Sequence, residues 1–216
     1  MRFGVVQFPG SCDERDTVLA CEKVGEAQLL WHADPDLHGS DAIVIPGGFS
    51  YGDYLRVGAI AQFSPVMEKV IEFAKDGGPV LGICNGFQVL CETGLLPGAL
   101  LPNESLRFIC RQVELEVVNA TTLFTRSMSP GDRLSIPAKH TTGRYYAPQL
   151  AHEQVVLRYA AGENPNGSQD DIAGVVNEAG NVMGLMPHPE HAVDLLTGGS
   201  ADGLRLFKSM ALEPVA

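Results

Sequence analysis

The chain has 216 residues, 45% of them hydrophobic, and a formal net charge of -11. That length supports a sizeable core and predicts one domain over 1–216. The dispersed acidic balance argues against a nucleic-acid partner and an anionic membrane surface, because both need clustered Lys and Arg. The five cysteines contain no C-x-x-C, so neither a zinc ribbon nor a disulfide framework is indicated. A reducing cytoplasm is the simpler setting. No apolar run approaches membrane-spanning length, and the N-terminus lacks signal-peptide architecture.

In chain order, residues 2–8 read as a strand closed by Pro9-Gly10. Residues 14–26 read as a helix with Val18, Cys21 and Val24 along one face. Strands are predicted over 27–31 and 41–45, the latter ended by Pro46-Gly47-Gly48. A helix follows over 65–75, with Pro65 in its first turn and Val66, Val70, Phe73 and Ala74 as its apolar stripe. Next come a strand from Val80 and a helix from Asn85 that ends near Gly94. Strands alternating with helices imply a parallel sheet covered on both faces. After Gly94 the rhythm changes. Residues 112–118 alternate polar and apolar, as in a half-exposed antiparallel strand. Further strands are predicted over 134–136, 155–159, 172–177 and 182–186, and a last helix over 200–211.

Three segments carry candidate chemistry. Cys84 sits where the Val80 strand turns into the next helix, with Gly82 and Gly86 on either side. This is a nucleophile-elbow pattern with Cys as nucleophile. The glycines suit a turn too tight for a Cβ, and the helix N-terminus favours a thiolate. The plain alternative is a buried cysteine at a glycine-rich strand end.

The second segment is Met186-Pro187-His188-Pro189-Glu190-His191. Pro189 pushes His188 out of the helical region. In an extended segment residues two apart share a face, so Glu190 can fix the tautomer of a His188 base. A loop whose histidine caps backbone fits this segment equally well. A metal site of His188, Glu190 and His191 is the weaker reading, since no fourth ligand is evident. His32, His38 and His152 lie in polar connections and read as solvated.

The third segment runs from Pro46 to Asp53. Glycines at a strand end leave backbone amides free to hold an oxyanion, with the Asn85 amide as second donor. An ordinary glycine-rich turn is the alternative. The phosphate-loop arrangement is absent, so no nucleotide is expected on this chain.

Together the three segments resemble the class I (triad) glutamine amidotransferases. Gly82-Ile83-Cys84-Asn85-Gly86-Phe87-Gln88 is similar to their G-x-C-x-G-x-Q motif, Pro187-His188-Pro189-Glu190 to their H-P-E motif, and Pro46-Gly47-Gly48 to their oxyanion strand. The segments from Pro46 to Arg56 and from Leu101 to Phe108 resemble one branch of that family. Its members are glutaminase subunits that serve an ATP-using synthase in de novo purine synthesis. Over 136–146, Thr141-Thr142 departs from the I-A-H-G-E-G of many members, while His140 and Gly143 align.

The resemblance implies an α/β, flavodoxin-like fold: a mostly parallel central sheet, helices on both faces and an antiparallel extension. It implies Cys84, His188 and Glu190 as catalytic residues and Gly48 and Asn85 as the oxyanion hole. It also implies Gly47, Gly48, Gln88, His140 and Gly143 as contacts for glutamine, although Gln88 also reads as a polar helix residue facing solvent. No metal and no cofactor are expected on this chain. ATP and magnesium are expected on the partner synthase subunit, together with a small third subunit of the complex. Two other functions remain open at this stage. One is a thiol amidohydrolase or amidotransferase on the same scaffold with another acceptor. The other is a non-catalytic interaction subunit.

Overall fold

The computed structural model describes residues 1–212. The first half of the chain alternates strands and helices: β1 (Arg2–Gln7), α1 (Glu14–Glu22), β2 (Glu26–Trp31), β3 (Ala42–Ile45), α2 (Pro65–Lys75), β4 (Val80–Ile83) and α3 (Asn85–Glu92). The second half is mostly strand: β5 (Ala99–Leu101), β6 (Ile109–Val117), β7 (Arg133–His140), β8 (Arg144–Tyr146), β9 (Val155–Tyr159), β10 (Ile172–Val176) and β11 (Val182–Leu185). Two short helices follow, α4 (Leu195–Gly198) and α5 (Leu204–Ala211).

Nine strands form one sheet in the order β2-β1-β3-β4-β11-β10-β9-β6-β7. Pairing is parallel from β2 to β11 and antiparallel from β11 to β7. The burial pattern explains the division. Every residue of β3, β4 and β11 is buried, as expected of parallel strands covered on both faces. Along β7, buried and partly buried residues alternate, which leaves one face wetter. Helix α1 packs on β1 and β2, while α3 packs on β3, β4 and β11.

The order β2-β1-β3-β4 reverses direction between β1 and β3. In doubly wound sheets the carboxyl ends of the strands at such a reversal leave a crevice for ligands. The turns that leave β1, β3, β4 and β11 all open at that end.

Some boundaries differ from the sequence reading. Helix α1 stops at Glu22 rather than residue 26. The Val24 and Gly25 amides both donate to the Cys21 carbonyl, which turns the chain toward β2. Helix α5 begins at Leu204 rather than residue 200, because Ser200 Oγ accepts from the Asp202 amide and the Asp202 carboxylate accepts from the Ser135 amide. Strands β5 and β8 form a separate two-stranded sheet that the sequence reading lacked. Among the described residues no helix is long and apolar enough to cross a membrane.

Candidate active site

Cys84 occupies the junction of β4 and α3 with φ 50° and ψ -103°. A non-glycine residue held there stores roughly 1–3 kcal/mol of backbone strain, which the surrounding packing must offset. Its amide donates to the Leu185 carbonyl at 2.8 Å and extends the β4–β11 ladder by one residue. The thiol sits at the N-cap of α3 and points toward the Lys139 carbonyl, 3.8 Å away.

His188 leaves the end of β11 and is 1% exposed. Its φ of -103° and ψ of 88° are non-helical, as Pro189 requires. The segment then tightens into a 3-10 turn over Pro189–His191 rather than staying extended. The turn brings Glu190 Oε1 within 2.6 Å of His188 Nδ1. Glu190 is also buried, so this is a charge-assisted contact away from water. Burial works against a charged ring, but Glu190 and the Cys84 sulfur outweigh it and push His188 up to about 10. His188 Nε2 is buried and has no hydrogen-bond partner, which leaves it free for the proton chemistry of a neighbouring group.

The structure adds a residue that the sequence reading missed. Asp13, buried in the turn after β1, lies 3.5 Å from the same His188 Nδ1. It also accepts from Lys139 Nζ at 2.7 Å and lies 3.4 Å from His191 Nε2. Burial opposes its charge, but His191, His188 and Lys139 together hold the carboxyl well below the usual range. His191 stacks on His188 with ring centroids 5.3 Å apart. No motif marks Asp13. The available signal was topological: β1 and β3 flank the reversal, so the turn after β1 faces the Pro46-Gly47-Gly48 turn.

The Gly48 φ of 144° lies in a region that favours glycine. A Cβ there would lie 2.6 Å from the Cys12 amide nitrogen. Among the described residues, neither the Gly48 nor the Asn85 amide donates a hydrogen bond. Asn85 opens α3, where the first amides have no intrahelical acceptor. Both amides are therefore available to an oxyanion.

Cys84, His188 and Gly48 line one cavity of about 140 Å³, together with Gln88, His140, Thr141 and Thr142. The other two candidate glutamine contacts sit behind this surface. Gly47 lies against Asp13 and His188, where a Cβ would come within 2.4 Å and 2.6 Å of them. Gly143 lies under the His140 ring. Gln88 is buried rather than facing solvent, and its amide is engaged. Its nitrogen donates to the Thr142 carbonyl at 2.6 Å and its oxygen accepts from Asn85 Nδ2 at 2.8 Å. His140 Nδ1 pairs with Asn103 Oδ1 at 3.0 Å, and Asn103 also accepts from the Gly143 amide. Asn103 thus fixes the loop that forms one wall.

Asp13, His188, Glu190 and His191 place ligand atoms within 4.8 Å of one another, so the fourth group missing from the sequence reading of a metal site does exist. Lys139 already contributes a cation to that cluster through Asp13.

A thiol on a strained elbow, an imidazole backed by a buried carboxylate and the bare Gly48 amide at one cavity, with the bare Asn85 amide next to the thiol in sequence, define a thiol-dependent amidohydrolase site on a doubly wound sheet. A family model described as a CobB/CobQ-like glutamine amidotransferase domain matches residues 1–200. The phosphoribosylformylglycinamidine synthase subunit PurQ of Rubrobacter xylanophilus is 57% identical over 97% of this chain and 97% of its own. That of Frankia casuarinae is 56% identical over 97% and 92%. Among solved structures, a chain of PurLQS from Thermotoga maritima superposes with a TM-score of 0.91 at 46% identity, covering 97% of this chain and 96% of that one. The chain belongs to the class I glutamine amidotransferase family.

Proposed function

We propose that the chain is the glutaminase subunit of a phosphoribosylformylglycinamidine synthase. It hydrolyses L-glutamine to glutamate and ammonia, and the ammonia passes to an ATP-using synthase subunit. That subunit converts formylglycinamide ribonucleotide to formylglycinamidine ribonucleotide in de novo purine biosynthesis. The observation that carries this reading is Cys84 at its strained turn, sharing one cavity with His188, whose ring is paired with the buried Glu190 carboxylate behind it. Identity above half to PurQ chains over nearly the full length supports the particular acceptor. The likeness to a PurLQS chain supports a synthase subunit and a small third subunit as partners.

The steps follow from the geometry. Glu190 keeps His188 as an imidazolium beside the sulfur, and Cys84 attacks the glutamine carboxamide carbon as the thiolate of that ion pair. The Gly48 and Asn85 amides hold the tetrahedral oxyanion, each donor contributing roughly 3 kcal/mol. His188 gives its proton to the departing ammonia and then activates water against the thioester. Glu190 holds the ring in the tautomer that both transfers need. We read residues 1–216 as one such domain acting in the cytoplasm, without metal or cofactor of its own. ATP and magnesium belong on the synthase.

The test mixes Cys84→Ser protein with the synthase subunit. Glutamine-dependent product formation should fall by roughly a thousandfold or more, while ammonia-dependent formation persists. Undiminished use of glutamine rejects the reading.

A further inference from the structure

The loop after Gly48 carries an acid that the hydrolytic steps do not use. Asp53 lines the same cavity as Cys84 and His188. Its loop is tied to α3 at three points. The Ser50 amide donates to Asn85 Oδ1 at 3.1 Å. Asn85 Nδ2 lies 3.5 Å from Asp53 Oδ1. Arg56 forks onto both Glu92 oxygens at 2.7 and 2.6 Å. The carboxylate is thereby held near the residue that follows the nucleophile.

The charges around the cavity are unevenly matched. Asp13 takes Lys139, His188 and His191. Asp53 has no Lys, Arg or His partner among the described residues, and burial alone pushes its carboxyl up to about 6. An unpaired, partly desolvated carboxylate in a ligand cavity is costly unless a cation arrives with the ligand. Glutamine brings such a cation in its α-ammonium, four bonds from the carbon that Cys84 attacks.

We propose that Asp53 binds the α-ammonium of the substrate and thereby restricts the site to amides of α-amino acids. This rests on the glutaminase reading above. The experiment compares L-glutamine with glutaramate, the same amide without the amino group, using the chain assembled with its synthase partner. The wild-type complex should favour L-glutamine strongly in kcat/KM. Asp53→Asn should shrink that preference roughly ten- to a hundredfold, mainly through KM, because one charge-assisted contact is lost. Asp53→Ser reads the same ratio, so a folding failure of one variant does not decide the outcome. If both substrates slow alike and the ratio holds, Asp53 only props the loop and the assignment is overturned. If the wild-type complex turns over neither amide, the glutaminase reading itself fails and this proposal falls with it.

Discussion

A Cβ on Gly86 would lie 1.9 Å from the carbonyl oxygen of Ile45. Helix α3 therefore meets the end of β3 backbone to backbone, one residue before the Pro46-Gly47-Gly48 turn. The contact ties the helix that begins after Cys84 to the strand that leads into the Gly48 amide. Neither backbone can yield without moving an element of the sheet. Gly86→Ala should cost about 3 kcal/mol or more in chemical denaturation, and the folded remainder should have lost glutaminase activity. A variant of wild-type stability and rate would show that the two elements do not need this closeness.

His188 Nδ1 has two carboxylates in reach, Glu190 at 2.6 Å and Asp13 at 3.5 Å. The shorter contact should dominate orientation. Glu190→Gln is expected to lower kcat by roughly 10²–10³ and to bring the imidazole down toward its ordinary titration range, which a pH–rate profile reads. Asp13→Asn leaves the nearer carboxylate in place and should cost less than about tenfold. The reverse ranking would make Asp13 the principal orienter.

His140 should give acid conditions a measurable signature. Burial, with the nearby His188 charge, holds it down at about 4 against an ordinary 6.5. The unfolded chain takes up this proton near 6.5, but the folded chain waits until about 4. The folded state therefore loses stability as pH falls through that interval and levels off below it, a change on the order of 3 kcal/mol. His140→Asn should lack that part of the slope in denaturation curves recorded across the interval. Equal slopes for variant and wild type would show that the ring is protonated in the folded protein.

The parallel half of the fold was legible because strands buried on both faces leave continuous apolar runs, as in 42–45 and 80–83. The elbow was legible because Gly82 and Gly86 answer a steric demand that few other turns make. β5 and β8 were not, since three residues are too few to show a period of two. The sequence paired Glu190 with His188 by assuming an extended segment, whereas the pairing is made by a 3-10 turn. Asp13 was invisible because its neighbours Lys139, His188 and His191 lie far along the chain and converge only through the sheet order. Gln88 read as either ligand contact or surface residue; it is buried, lines the cavity and bridges Asn85 and Thr142, so the surface reading fails.

Strands β4 and β11 are in parallel register, with Gly82 opposite Gly184 and Ile83 opposite Leu185. The sulfur leaves directly after one strand and the imidazole segment begins just beyond the other. The placement of Cys84 and His188 is thus set largely by main-chain hydrogen bonds, the β4–β11 ladder for one and the bond from the His188 amide to the Pro137 carbonyl of β7 for the other. A synthase that switches this subunit on or off would have to break those bonds to pull the two residues apart. Its easier lever is the perimeter, the Ser50–Arg56 and Thr141–Thr142 loops, where small movements can admit or exclude glutamine while the chemical machinery stays assembled.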